Sequence, residues 1–188
     1  MTVGVDLHPE LSRVWGELLG LEQRRDSTRP PTRQVIIGRP CSYFGREDAL
    51  DHVAGYCTIN DVSERAFQIE RGGQWIKGKS APNFGPIGPW LVTPEEVGDP
   101  QKLALSLSVN GQTVQNSSTA DMIFGIAEII SYMSGFMRLM PGDIIATGTP
   151  EGVGLGLTPP RFLGPGDVVE LSVEGLGTQR QIVVEHKQ

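Results

Sequence analysis

The sequence predicts a β-rich α+β domain with one prominent helix, and three features carry that expectation. Its 188 residues hold 24 Gly and 14 Pro, scattered without a period between short apolar runs, which marks a turn-rich chain and excludes collagen and disorder. The stretch LALSLSVNGQTVQ alternates apolar and polar residues on both sides of Asn110-Gly111, the dipeptide that tight hairpins prefer. Residues 119–137 instead follow a helical period, with Ser118 or Thr119 placed to cap the helix.

The chain before that domain reads differently. Leu11, Val14, Trp15, Leu18 and Leu19 recur at helical spacing, with Glu17, Glu22, Arg24 and Arg25 on other faces, so residues 9–25 are expected to form an amphipathic helix. Residues 26–33 (DSTRPPTR) are expected as a linker, because Pro30 and Pro31 lack amide donors and favour extended geometry before them. Residues 1–33 therefore form one segment and residues 34–188 the domain proper.

Within the domain, VIIG from Val35 predicts a short buried strand, EDALDHV (Glu47 to Val53) a helix or helical turn, and AGYCTIND a second strand. Residues 72–89 are too dense in Gly and Pro for an element interior and suit a loop laid over a site. After Pro141-Gly142-Asp143 come a strand (IIATG) and a Gly-rich turn (TPEGVGLG). A second Pro-Gly-Asp at residues 165–167 leads into VVELSVEGLG and RQIVVEH. Two such turns, each feeding an apolar strand, suggest successive corners of a curved β structure.

Composition narrows the function. A formal charge of −6 with no concentrated Lys/Arg stripe argues against nucleic acid and weakly against an anionic membrane surface. No apolar run approaches the roughly 20 residues of a membrane helix. The N-terminus also lacks a leader pattern, so the expected compartment is the cytoplasm. Cys41 and Cys57 stand in no metal-ligand or Cys-x-x-Cys spacing and are expected as buried thiols.

Candidate chemistry lies in three places. Asp61 and Arg65, in NDVSER at the end of an apolar strand, suit a cleft, where Asp61 could bind a hard cation; alternatively Asp61 caps a helix beginning near Ser63 and Arg65 pairs on the surface. Lys79, between Gly78 and Ser80, could hold a carboxylate or a developing enolate, or be an exposed loop lysine. Ala146-Thr147-Gly148-Thr149-Pro150 offers hydroxyls and backbone N–H groups as a carboxylate cradle. No Gly-x-Ser-x-Gly elbow or Cys/His pair supports a serine or cysteine hydrolase, and His8, His52 and His186 have no evident partner.

Taken in order, NDVSERAFQ, GKS, FGPIGPWLVT, VNGQTVQ and PGDIIATGTPEGVG resemble the fumarylacetoacetate hydrolase family from about Val35 onward. SERAFQIERGGQW is most similar to bacterial members acting as ureidoglycolate lyases or as hydrolases of 2,4-diketo-3-deoxy sugar acids. The resemblance implies a mixed β-sandwich roll, a homodimer, and a Mg²⁺ or Mn²⁺ ion that chelates a small 2-oxo acid and stabilises the carbanion left by C–C cleavage. By position, Asp61 matches a metal ligand, Arg65 and Gln68 match substrate contacts, Lys79 matches the lysine beside the metal, and Thr149, next to Gly148, matches the threonine holding the substrate carboxylate.

The sequence also departs from that pattern. Pro30 and Thr32 stand where the family's E-x-E pair supplies two further ligands, Pro82 and Ala66 where relatives carry Asp, and nothing upstream matches the lid with the family's water-activating His–Glu pair. One carboxylate holds Mg²⁺ weakly, since that ion relies on one or two carboxylates plus substrate oxygens and water. Two functions therefore compete: a metal-dependent hydrolase, lyase or isomerase of a 2-oxo acid, with Asp61 as metal ligand and Lys79 and Arg65 as the catalytic residues that stabilise charge, and a non-catalytic paralogue or fragment keeping the β core as a dimeric binding or scaffold protein.

Overall fold

The computed structural model describes residues 31–185, so the helix expected over residues 9–25 and most of the expected linker lie outside the described residues. Two four-stranded sheets face each other. The first has the order β3-β2-β1-β6, from Ile87–Val92, Val53–Asn60, Pro31–Ile37 and Ile144–Ala146. The second has the order β5-β4-β7-β8, from Gln112–Ser118, Ala104–Val109, Val168–Val173 and Gly177–Ile182. All registered pairings are antiparallel. Val35, Ile37 and Tyr56 of the first sheet and Leu105 and Val173 of the second share one buried cluster with Ile126 and Ile130 of the main helix. No helix among the described residues is long and apolar enough to cross a membrane.

The β-rich α+β expectation is met, with two boundaries moved. Strand β1 takes in Pro31, Thr32 and Arg33, which the two prolines marked as linker; they pair with Asn60, Ile59 and Thr58. A full-length partner in β2 outweighs the local signal, and the first residue of a strand is where a proline is tolerated. The helix expected over residues 119–137 is α2, Ile126–Ser134, while α1 is the single turn Pro94–Val97. Ser118 does cap, but it closes a separate short turn, Thr119–Asp121, in a reciprocal box with Asp121. The helix then starts afresh where the Gln101 side chain accepts the Ile126 N–H at 2.8 Å. The segment around Glu47 to Val53 gives only a tight turn at Ala49–His52.

The turns follow their sequence signals. Asn110 (φ 52°) and Gly111 (φ 77°) both take the left-handed region, as a two-residue hairpin turn requires. The two Pro-Gly-Asp corners share one construction: Asp143 accepts the Met140 N–H at 2.7 Å and Asp167 accepts the Gly164 N–H at 2.8 Å. Asn110 ties the hairpin to the second corner, donating to Asp167 at 2.7 Å and accepting the Val168 N–H at 2.8 Å. Both cysteines are free and buried, and burial pushes the Cys57 thiol up to about 11.

The Gly164 N–H holds the Asp167 carboxyl below its ordinary value, helped by Asn110 and Arg161. A depressed carboxylate stabilises the fold above its unfolded pKa of about 3.9, and that contribution is lost as pH falls through the folded value. Asp167→Asn should therefore lower the urea midpoint at pH 7 and flatten its fall below pH 4, as urea titrations at several pH values would show.

Candidate functional site

Strands β2 and β6 flank β1, and each runs antiparallel to it. Ala146 pairs with Gln34, which pairs with Cys57 on its other side, so the chains leaving β6 and β2 emerge at the same end of the sheet. One delivers Thr147, Gly148 and Thr149; the other delivers Asp61. Gly148 takes φ 103°, where a side chain would be strained, and Thr149 is exposed.

Beyond β2 the chain turns sharply. Val62 N–H donates to Asn60 O at 2.8 Å, and the Ser63 hydroxyl donates to Asp61 O at 3.1 Å. A wide helical turn, Ala66–Glu70, follows. The Glu64 carboxylate accepts the Ala66 N–H at 3.1 Å. The Asp61 carboxylate forms an ion pair with Lys79, both side chains being about three-quarters buried.

The loop of residues 72–89 brings Lys79 there. Its short turn Trp75–Gly78 is stitched to the helical turn by Glu64 N–H donating to Gly78 O at 2.8 Å. Gly78 has no room for a Cβ, which would strike the Gln68 side chain and the Glu64 carbonyl. Arg65, buried, donates to the Gln68 carbonyl oxygen at 3.0 Å, and the Gln68 amide donates to Trp75 O at 3.2 Å. The structure thus joins Asp61 with Lys79 and Arg65 with Gln68. The Gln68 amide links Arg65 to the loop that carries Lys79.

This donor set does not fit a divalent cation. Among the described residues no three His, Cys, Asp or Glu gather as a cation shell, and the Asp61 carboxylate already faces an ammonium. A recess of about 300 Å³, lined by Pro40, Cys41, Ser42, Phe44, His52 and Arg138, lies past the far end of β1 and belongs to no part of this cluster.

Sequence reasoning passed over three residues here. Glu64 is buried beside Arg65, and its only signal was its place in the NDVSER run. Gln179 and Gln181 face inward from β8, and their amides reach the end of β2. The available signal was a glutamine at alternate positions of a strand whose Ile182 points outward.

Residues 34–184 match the family model for the fumarylacetoacetate (FAA) hydrolase C-terminal region. A Burkholderia multivorans protein, named no more closely than as a hydrolase, is 57% identical over 149 residues, 79% of this chain and 53% of that protein. The chain thus spans about half the length of the curated relatives it matches. The fumarylacetoacetate hydrolase of Exiguobacterium antarcticum superposes with a TM-score of 0.83 at 38% identity, over 87% of this chain and 58% of that one. The maleylpyruvate hydrolase of Sphingobium sp. SYK-6, solved with manganese (II) and pyruvate, gives 0.75 at 34% identity, over 87% and 56%.

Proposed function

The chain belongs to the fumarylacetoacetate hydrolase family, and on that premise we propose that it binds the carboxylate head of a small 2-oxo acid through Lys79, at a site its described residues do not complete with a divalent cation. The observation that carries this reading is the Asp61–Lys79 pair at the end of β2. A partly buried ammonium is a compact charge for a carboxylate, and desolvation strengthens its pull. The pyruvate held by the maleylpyruvate hydrolase is a ligand of that chemistry.

In this reading Asp61 holds Lys79 until an incoming carboxylate displaces it, Gln68 braces its loop, and Gly148 and Thr149 offer a backbone N–H and a hydroxyl from the neighbouring loop. Asp61 would offer a Mg²⁺ or Mn²⁺ ion one carboxylate, too few for tight binding without ligands from elsewhere. The parent reaction, metal-dependent C–C cleavage of a diketo acid, is therefore not expected from the described residues alone. Their incomplete ligand set favours the second reading, a non-catalytic paralogue keeping the binding core. A homodimer is the expected assembly, with exposed Ile123, Phe124, Tyr132 and Phe136 around α2 as the apolar surface at hand.

Calorimetric titration of chelator-treated protein with oxalate and pyruvate tests the proposal. Binding is expected without metal and should fall at least about tenfold in Lys79→Ala, the scale of one charge-assisted hydrogen bond. Binding that appears only with Mn²⁺, or survives Lys79→Ala intact, would overturn it.

A further inference from the structure

Strand β8 places its glutamines where a sandwich strand ordinarily places aliphatic residues. Gln179 and Gln181 alternate inward, with Thr178, Arg180 and Ile182 exposed, so the outward face carries the aliphatic side chain and the inward face the amides. Burying an amide is costly unless it is hydrogen-bonded, and these are bonded across the sandwich to the other sheet. The Gln179 amide donates to Thr58 O and Gly88 O, each at 2.8 Å, bridging two residues paired in the β2–β3 ladder. Gln181 donates to the Gln179 carbonyl oxygen at 2.6 Å, and Asn60, fully buried, donates to the Gln181 carbonyl oxygen at 2.6 Å. All donors point one way, from Asn60 through Gln181 and Gln179 to the backbone of β2 and β3, an arrangement in which each bond polarises the next.

Asn60 immediately precedes Asp61. Its backbone is held as well, the N–H donating to Pro86 O at 3.1 Å and the carbonyl accepting from Val62 at 2.8 Å. The amide chain therefore grips the stem from which Asp61 projects, from the opposite sheet. We propose that Gln179 and Gln181 are positioning residues for the site: through Asn60 they fix the end of β2, and with it the place of Asp61 against Lys79. This deepens the function proposed above, since the carboxylate-binding ammonium is the group being placed.

The test uses the side-chain ammonium ¹H–¹⁵N resonance of Lys79 in the ligand-free full chain at one pH, assigned with Lys79→Arg. Asp61→Asn shows where that resonance lies when the pair is broken. Gln181→Met, which removes both amide contacts, should move the resonance towards the Asp61→Asn position. Gln181→Ala, which leaves room and no mismatched group, carries the same expectation should the Met variant fail to fold. Gln181→Glu keeps an acceptor for Asn60 and should retain most of the wild-type shift. Leu107→Ala, in the separate cluster of the second sheet, serves as a control that loosens the sandwich without touching the relay. An unmoved Lys79 resonance in Gln181→Met or Gln181→Ala, or an equal movement in Leu107→Ala, would overturn the inference. Because this readout needs no ligand, it stands even if wild-type protein fails to bind oxalate, a result that would count against the proposed function alone. Where oxalate does bind, its affinity in Gln181→Met should change severalfold, in the same direction as in Asp61→Asn.

Discussion

Asp61→Asn is expected to raise the affinity of metal-free protein for oxalate by about tenfold, while making the fold less stable. Two unit charges at about 4 Å interact by about 4 kcal/mol at an effective dielectric of 20 and about 1 kcal/mol in water. The pair is about three-quarters buried, and an incoming carboxylate must compete with Asp61 for the same ammonium. Neutralising Asp61 removes both that competition and its repulsion of the ligand, so about 1.4 kcal/mol, or tenfold, is the conservative expectation. Stability should fall by about 1–3 kcal/mol, because Lys79 loses its charged partner while remaining partly desolvated. The sign separates the chemistries. If a cation carried by Asp61 held the ligand, the same substitution would abolish binding. Calorimetry with oxalate, beside urea unfolding of the same variant, decides between them.

Legibility in the sequence followed how local each cause was. Asn110-Gly111 and the two Pro-Gly-Asp corners were readable because a turn's backbone conformation is set within four residues. The start of α2 was not, because the group that accepts the Ile126 N–H is Gln101, 25 residues away. Pro31 misled for the same reason: its strand partner Asn60 lies beyond any window of local pattern. In the site, Asp61 and Lys79 could each be singled out by residue type and by resemblance, yet their ion pair is a tertiary fact made by the Trp75–Gly78 turn. Gln68 could be matched to a position, while the closure of its amide between Arg65 and Trp75 could not. Gln179 and Gln181 were invisible, since glutamines in a strand signal nothing until the facing sheet supplies Thr58, Gly88 and Asn60.

The double substitution Pro30→Glu with Thr32→Glu is expected to confer Mn²⁺ binding, tightening it by about 100-fold or more, because affinity for hard cations rises with the number of carboxylate ligands. Thr32 sits on β1 opposite Ile59, one strand across from the segment that ends in Asp61, and Pro30 lies just before the described residues. Two added carboxylates would give Asp61 the company that the resemblance assigns to these positions. They would also change what binding needs. A cation drawn to three carboxylates competes with Lys79 for Asp61, so oxalate binding in the double variant should become Mn²⁺-dependent, whereas in the unmodified chain it should not. Adding Asp61→Asn to the double variant should cancel most of the gain, which excludes binding by the new glutamates alone. Calorimetric titration with Mn²⁺, with and without oxalate, reads all three states. Absence of any gain would mean that the missing glutamates are not what keeps a cation from this site, and that the Asp61–Lys79 pair is itself the arrangement the chain uses.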